Sequence, residues 1–131
     1  MSTDHNKNAA VRFGTFIRNR RIELGITARE VATAIGFQPS NFSNLEHGVL
    51  LPPKDSGKLT KLAEALNLKT APQRRALFDL AAKATDSVPV DIEEIITSQE
   101  AVPLLLRTIG NRKLSQADLQ KIVRIVHGKE P

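Results

Sequence analysis

The amino-acid sequence predicts an all-α protein, in which a five-helix bundle is followed by a helical C-terminal extension. Apolar residues recur at three- and four-residue steps through most of the chain, as they do in helices that bury one face. Alternation of apolar and polar residues never persists, so no strand is expected. Hydrophobic residues make up 40% and charged residues 25% of the 131-residue chain, proportions that are typical of a folded domain.

The first helix is predicted over residues 11–24, where apolar side chains such as Phe13 and Ile17 follow a helical spacing. Gly25 is expected to end it, because glycine adopts the left-handed conformation that often terminates a helix. The preceding residues, 1–9, are polar and show no periodicity. We therefore expect residues 1–9 to form a mobile N-terminal arm.

Two short helices are predicted next, separated by a tight turn. Thr27 is a favoured N-cap residue, and Glu30 three positions later completes a capping box, in which each side chain bonds the backbone of the other residue. Gly36 is expected to end this helix after about ten residues. Pro39 suits the first turn of a third helix, which we expect to reach His47.

The fourth and fifth helices complete the predicted bundle. Asp55 or Ser56 is the expected N-cap of the fourth helix, whose apolar residues repeat at helical spacing. The fifth helix is expected over residues 72–84, with Pro72 at its start. The five helices together predict one domain over residues 10–85.

Residues 86–131 are predicted to form the helical C-terminal extension. Asp91 is a suitable N-cap for an isoleucine-rich segment, and Pro103 should start or kink the helix that follows. Ser115, with Asp118 three positions later, should open a last helix that carries an apolar stripe on one side. The stripe consists of Leu119, Ile122, Val123 and Val126.

The second and third predicted helices have the form of a motif that enters the major groove of DNA. Such a motif needs two short helices, a glycine-containing turn, and short hydrogen-bonding side chains on the second helix. Phe42 and Leu45 would anchor the third helix and leave its polar side chains outward. An ordinary solvated face is the alternative interpretation. The polar residues concerned are Gln38, Ser40, Asn41, Ser43 and Asn44.

Three segments carry a resemblance to a known family. They are RIELG at 21–25, TAREVATAIG at 27–36 and SNLEHG at 43–48. Through them the sequence resembles the phage-repressor-like (Cro/C1, or XRE) helix-turn-helix family of transcriptional regulators over residues 13–68. The resemblance implies that residues 10–85 form a five-helix, lambda-repressor-like bundle, with double-stranded DNA as its partner.

The resemblance also implies roles for single residues. Arg21 in the first helix should pair with Glu46 at the end of the third, so that the ion pair braces the third helix. The start of the third helix, which is the recognition helix of the family, should enter the major groove. There asparagine and glutamine favour adenine. The base-contact candidates are therefore Gln38, Ser40, Asn41 and Asn44, with Ser43 at the margin.

Contacts with the DNA backbone are expected from the start of the second helix. The family often has glutamine at the first position of this helix, where this chain has Ala28. Arg29, the Thr27 hydroxyl and the helix N-terminus are the candidates for holding one phosphate instead. Lys54, in the loop after the recognition helix, is the candidate for another.

Neither catalysis nor metal binding is expected. The chain has no cysteine, which excludes thiolate nucleophiles, disulfides and cysteine-based metal sites. Ser43 and His47 share one helical turn but lack the third partner that would activate a nucleophile. Asp91, Glu93 and Glu94 resemble a carboxylate cluster, although acids in the first turn of a helix are favoured by its dipole. We expect no enzymatic activity, no cofactor and no metal.

The expected location is the cytoplasm. The N-terminal sequence lacks the apolar core of a signal peptide, and no apolar run approaches the roughly 18 residues that suggest a membrane span. We therefore expect no membrane association. The net charge of +5 would attract polyanions, although such a surplus is also common in proteins that bind no nucleic acid.

The partners expected besides DNA depend on the C-terminal extension. A palindromic operator is usually bound by a dimer of matching symmetry, so we expect a homodimeric transcriptional repressor. The dimerisation candidates are the stripe residues Leu119, Ile122, Val123 and Val126; packing of the stripe on the bundle is the other interpretation. The alternative function is that of an antitoxin or adaptor whose C-terminal part binds a partner protein.

Overall fold

Eight helices and no strand make up residues 3–128, the residues that the computed structural model describes, with side chains described from residue 7 onward. The all-helical class predicted from the sequence is confirmed. No described helix is both long and apolar enough to cross a membrane. The helices are α1 (Thr3–Leu24), α2 (Ala28–Ile35), α3 (Pro39–Glu46), α4 (Ser56–Ala65), α5 (Ala71–Thr85), α6 (Val90–Ser98), α7 (Ala101–Arg112) and α8 (Gln116–Val126).

The chain divides into two units, Met1–Glu93 and Glu94–Pro131. The first unit extends past the domain boundary that the sequence predicted at residue 85. The reason is Val90, which is buried in the same core as the five preceding helices. The composition changes after residue 85 because α5 ends there in a local turn. In this turn Asp86 adopts a left-handed φ of 50°.

The core of the first unit lies between α1 and the four helices that follow it. Helix α1 packs along α5 and against α3, and α2 packs against both α3 and α4. Each large side chain at the centre stabilises the fold by on the order of 2 kcal/mol through removal of its apolar surface from water. These side chains include Phe13, Ile17, Phe42, Leu45, Leu59, Leu62 and Leu77.

The first helix starts earlier than the predicted residue 11, inside the segment that the sequence analysis assigns to an N-terminal arm. Helix α1 begins at Thr3, so residues 3–9 are helical; residues 1 and 2 lie outside the described residues. Ala9 and Ala10 are 3% and 1% exposed and form a small buried cluster with Ala84 of α5. Alanine side chains allow two helices to lie close together, and this contact extends α1 into a polar segment that has no amphipathic pattern of its own.

Most helix ends follow the signals predicted from the sequence. Thr27 N–H donates to Glu30 Oε1 at 2.7 Å and Glu30 N–H donates to Thr27 Oγ1 at 3.0 Å, which completes the predicted capping box. Gly25 ends the first helix with a φ of 70°. Asp55 caps α4 by accepting the backbone N–H of Lys58 at 2.9 Å.

Two further helix starts differ from the prediction. Helix α5 begins one residue before Pro72, because Thr70 acts as its N-cap and Gln73 completes a second capping box. Helix α6 begins at Val90, so Asp91 lies in the first helical turn and is not the N-cap. An acid in this turn still interacts favourably with the helix dipole.

The second unit contains α7 and α8. Pro103 lies in the first turn of α7, as predicted, and Ser115 with Asp118 forms the predicted capping box of α8. A left-handed Lys113, with a φ of 51°, follows α7. Neither helix has a buried residue. The described part of this unit therefore leaves its apolar side chains at least partly open to solvent.

Candidate nucleic-acid interface

The turn between α2 and α3 fixes the angle between two short helices. Gly36 adopts a left-handed φ of 78°, and the Phe37 N–H donates to the Ala32 carbonyl at 2.8 Å. Glycine suits this position because a larger residue would be strained there. Beneath the turn, apolar side chains of the two helices are buried. They are Val31, Ala32, Ile35, Phe42 and Leu45.

Lys58 of α4 contacts the two residues that flank Gly36 in this turn. Its Nζ donates to the Ile35 carbonyl at 3.2 Å and lies 5.3 Å from the centre of the Phe37 ring. A cation is stabilised both by an aromatic face and by the last carbonyls of a helix. This contact cannot be predicted from the sequence, because Lys58 and Ile35 are 23 positions apart and no local pattern links them.

The recognition helix α3 has one buried and one exposed face. Phe42, Leu45 and Glu46 are buried. Ser40 and Asn44, four positions apart, share the exposed face, because residues at this spacing are neighbours on a helix surface. All five polar residues singled out in the sequence are exposed: Gln38, Ser40, Asn41, Ser43 and Asn44. The structure thus leaves their amide and hydroxyl groups open to solvent.

An ion pair joins α1 to the end of the recognition helix. Arg21 Nε donates to Glu46 Oε2 at 2.6 Å and its Nη2 donates to Oε1 at 3.1 Å. A third bond runs from Arg21 Nη1 to the Ile26 carbonyl at 3.1 Å. The Glu46 side chain is only 4% exposed, so Arg21 compensates a carboxylate that water barely reaches. The pair implied by the family resemblance is therefore present, and it links α1 to the end of α3.

Two glycines allow α1 to approach the C-terminal end of α3. A Cβ on Gly14 would lie 2.7 Å from the Leu45 carbonyl oxygen and closer still to the Glu46 carbonyl oxygen. Gly48, at a φ of 76°, is equally tight, since a Cβ there would lie 2.6 Å from the side chain of Val11. The role of Gly14 cannot be predicted from the sequence, because a glycine inside a helix does not indicate which element packs against it.

The residues predicted to bind DNA phosphates lie on separate elements. Arg29, in the first turn of α2, and Lys54, in the loop before α4, are both exposed. Thr27 Oγ1 already accepts the Glu30 N–H, so its hydroxyl hydrogen is the group left for a further acceptor. The pKa of Glu30 is lowered because its carboxylate accepts the backbone N–H of Thr27. The negative charge of Glu30 repels a phosphate. Phosphate binding at the start of α2 would therefore require the positive charge of Arg29.

The geometry around His47 gives Ser43 no base. His47 Nδ1 lies 2.7 Å from the backbone carbonyl oxygen of Ser43, and no hydrogen bond joins the ring to the Ser43 hydroxyl among the described residues. The contact closes the last turn of α3. It does not resemble the arrangement that activates a serine nucleophile.

A glycine turn between two short helices, with an exposed polar face on the second, defines a DNA-binding helix-turn-helix fold. A family model described as a helix-turn-helix domain matches residues 12–77, half of the 131-residue chain. The chain therefore belongs to the helix-turn-helix domain family, and the family predicted from the sequence is confirmed. Comparison with curated proteins and with solved structures gives no match.

Proposed function

We propose that this protein is a transcriptional repressor that binds a palindromic operator as a homodimer, with α3 in the major groove of each half-site. The exposed face of α3 carries this proposal, because its amides and hydroxyls are the groups that hydrogen-bond to base edges. A repressor acts by occupying its site. The proposed mechanism therefore needs no catalytic step and no cofactor.

The contacts divide into those that select a sequence and those that hold the backbone. Thr27, Arg29 and Lys54 are assigned to phosphates, where charge and hydroxyl donors act on any sequence. The contacts of α1 with α3 at Arg21 and Gly14 fix the position of the recognition helix, and with it the positions of the residues assigned to bases relative to those assigned to phosphates. The residues assigned to base edges are Gln38, Ser40, Asn41 and Asn44, with Ser43 at the margin.

The homodimer is proposed to form through the stripe on α8. Val123 is 48% and Val126 is 77% exposed, while Leu119 and Ile122 are half-buried. Clustered apolar side chains that remain open to water favour an interaction surface. A second copy is the occupant we propose, since one helix-turn-helix contacts few bases and palindromic sites are matched by two-fold dimers.

A second candidate function is that of an antitoxin or adaptor whose C-terminal part binds a partner protein. Leu104, Leu105 and Leu106 of α7 are 65%, 49% and 46% exposed. Three consecutive residues point in different directions around a helix, so a single helix face packed on a second copy would leave part of them uncovered. This exposed leucine run favours a further protein partner.

Selection of the full-length protein on a random pool of double-stranded DNA tests the main proposal. We expect enrichment of a palindrome whose half-sites are about one helical turn, roughly 34 Å, apart. A double variant, Ser40→Ala with Asn44→Ala, is the control: it changes exposed residues only and should enrich the same site much more weakly. Equal recovery of all sequences by the unmodified protein would reject sequence-specific binding, and enrichment of one isolated half-site would reject the dimer.

A further inference from the structure

The exposed surface of the recognition helix contains no cation. Residues 38–47 include neither lysine nor arginine, and their exposed polar groups are amides, hydroxyls and the His47 ring. Arginine or lysine bonded to the O6 and N7 atoms of guanine is the commonest specific contact in the major groove. Asparagine and glutamine instead match the N6 and N7 atoms of adenine. The chemistry of this surface is therefore complementary to adenine.

Two cations that contact the helix-turn-helix are already engaged in holding it together. Lys58 is bound to the Ile35 carbonyl at 3.2 Å, with its charge over the Phe37 ring. The Arg21 guanidinium donates to both oxygens of Glu46 and to the Ile26 carbonyl. Using either of them to bind guanine would break the contacts that position α3.

The start of α3 also offers an apolar group. Pro39 is exposed, whereas the other apolar residues of this helix, Phe42 and Leu45, are buried. Apolar side chains in the major groove contact the C5-methyl group of thymine, which cytosine lacks. An exposed proline between Gln38 and Ser40 thus adds a surface that suits the other base of an A·T pair.

From these three observations we propose that the protein selects A·T base pairs in each half-site, with Gln38 and Asn44 on adenines and Pro39 against a thymine methyl group. This inference rests on the proposed function, because it specifies what the recognition helix binds. Arg29 and Lys54 then contribute affinity through phosphates and do not determine the sequence.

The experiment uses the full-length protein and synthetic duplexes of the site recovered by selection. Each adenine is replaced in turn by 7-deazaadenine, which lacks the N7 acceptor, and each thymine by uracil, which lacks the methyl group. We expect affinity to fall by about 5- to 150-fold at the adenines that are contacted. The same substitution of guanines by 7-deazaguanine should change nothing. Because only the DNA is altered, folding of the protein does not affect the comparison.

Two protein variants complete the test. Asn44→Ala should abolish the sensitivity to 7-deazaadenine at one position, whereas Asn19→Ala, an exposed asparagine of α1 beside α5, should leave it unchanged. A site dominated by G·C pairs, with binding lost on 7-deazaguanine and on Arg29→Ala, would overturn the inference and leave the proposed function intact. Recovery of no site at all would instead reject the proposed function.

Discussion

Arg21 of α1 and Glu46 of α3 form a bidentate ion pair, with N···O distances of 2.6 and 3.1 Å, and the glutamate side chain is 4% exposed. Hydrogen bonding to Glu46 raises the pKa of Arg21 above its ordinary value, so the arginine keeps its charge throughout the accessible pH range. The pair matters for function because Glu46 ends the helix that carries the proposed base contacts. Its loss would both weaken the fold and free the recognition helix.

We predict that Arg21→Ala lowers the free energy of unfolding by about 3 kcal/mol, because it leaves the Glu46 carboxylate buried without a partner. The double variant Arg21→Met with Glu46→Leu should lose less, since no buried charge remains. Arg18→Ala, at an exposed position of the same helix, should change stability by less than about 0.5 kcal/mol. Urea unfolding measures all three. Equal effects at Arg18 and Arg21 would show that the ion pair does not brace the fold.

Gly14→Ala should destabilise the protein by about 1–3 kcal/mol, because the added methyl group meets the carbonyls of Leu45 and Glu46 and forces α1 away from α3. Gly110→Ala in α7 is a matched control, since nothing lies within 4 Å of a Cβ at this helical position. There the substitution should stabilise by about 0.5–1 kcal/mol through helix propensity. Thermal unfolding distinguishes the two signs, and a stabilising Gly14→Ala would contradict the close approach.

The features that the sequence predicts well are those encoded within a few residues. The Thr27–Glu30 capping box, the left-handed Gly36 and the exposed face that contains Asn44 each follow from local spacing. What the sequence does not reveal depends on partners far along the chain. Two contacts are of this kind: the alanine contact between α1 and α5, and the hydrogen bond from Lys58 to the Ile35 carbonyl. Small residues and single lysines carry no periodic signal, so only the packed structure identifies them.

Stability should depend on acid through Glu30. Its pKa is lowered by the hydrogen bond from the Thr27 backbone, so the folded protein binds this proton less readily than the unfolded chain does. The contribution is present above the ordinary glutamate pKa of about 4.3 and is lost as the pH falls through the lower folded value. Glu30→Gln keeps the capping box without the titration. The stability difference between the two proteins should therefore shrink on acidification, and a constant difference from pH 6 to pH 3 would contradict this account.

Arg29→Ala should weaken binding to every DNA sequence by a similar factor. A phosphate contact releases counterions, so its loss should reduce the slope of log affinity against log salt by about 1. Asn44→Ala, on the base-contacting face, should leave that slope unchanged and lower affinity mainly for the selected site. Anisotropy titrations at several salt concentrations separate the two effects. A sequence-dependent loss with Arg29→Ala would reassign this residue to base recognition.

The stripe on α8 predicts how the oligomeric state responds to a single charge. Val126 is 77% exposed, so Val126→Glu should leave the folded monomer intact while placing a carboxylate in the proposed dimer interface. Gln120→Glu is the matched control, because it adds one negative charge at an exposed position of α8 outside the stripe. In sedimentation experiments the first variant should be monomeric and the second should behave like the unmodified protein.

The same pair of variants links dimerisation to operator binding. A monomer retains the recognition helix, so Val126→Glu should bind an isolated half-site with unchanged affinity but lose its preference for the full palindrome. Linking two half-sites through one dimer raises apparent affinity by about 10²- to 10⁴-fold, which sets the size of the expected loss. If the unmodified protein sediments as a monomer at high concentration, both alone and on the palindrome, the stripe on α8 does not form a homodimer. The exposed leucines of α7 would then support the second candidate function, in which the C-terminal part binds a partner protein.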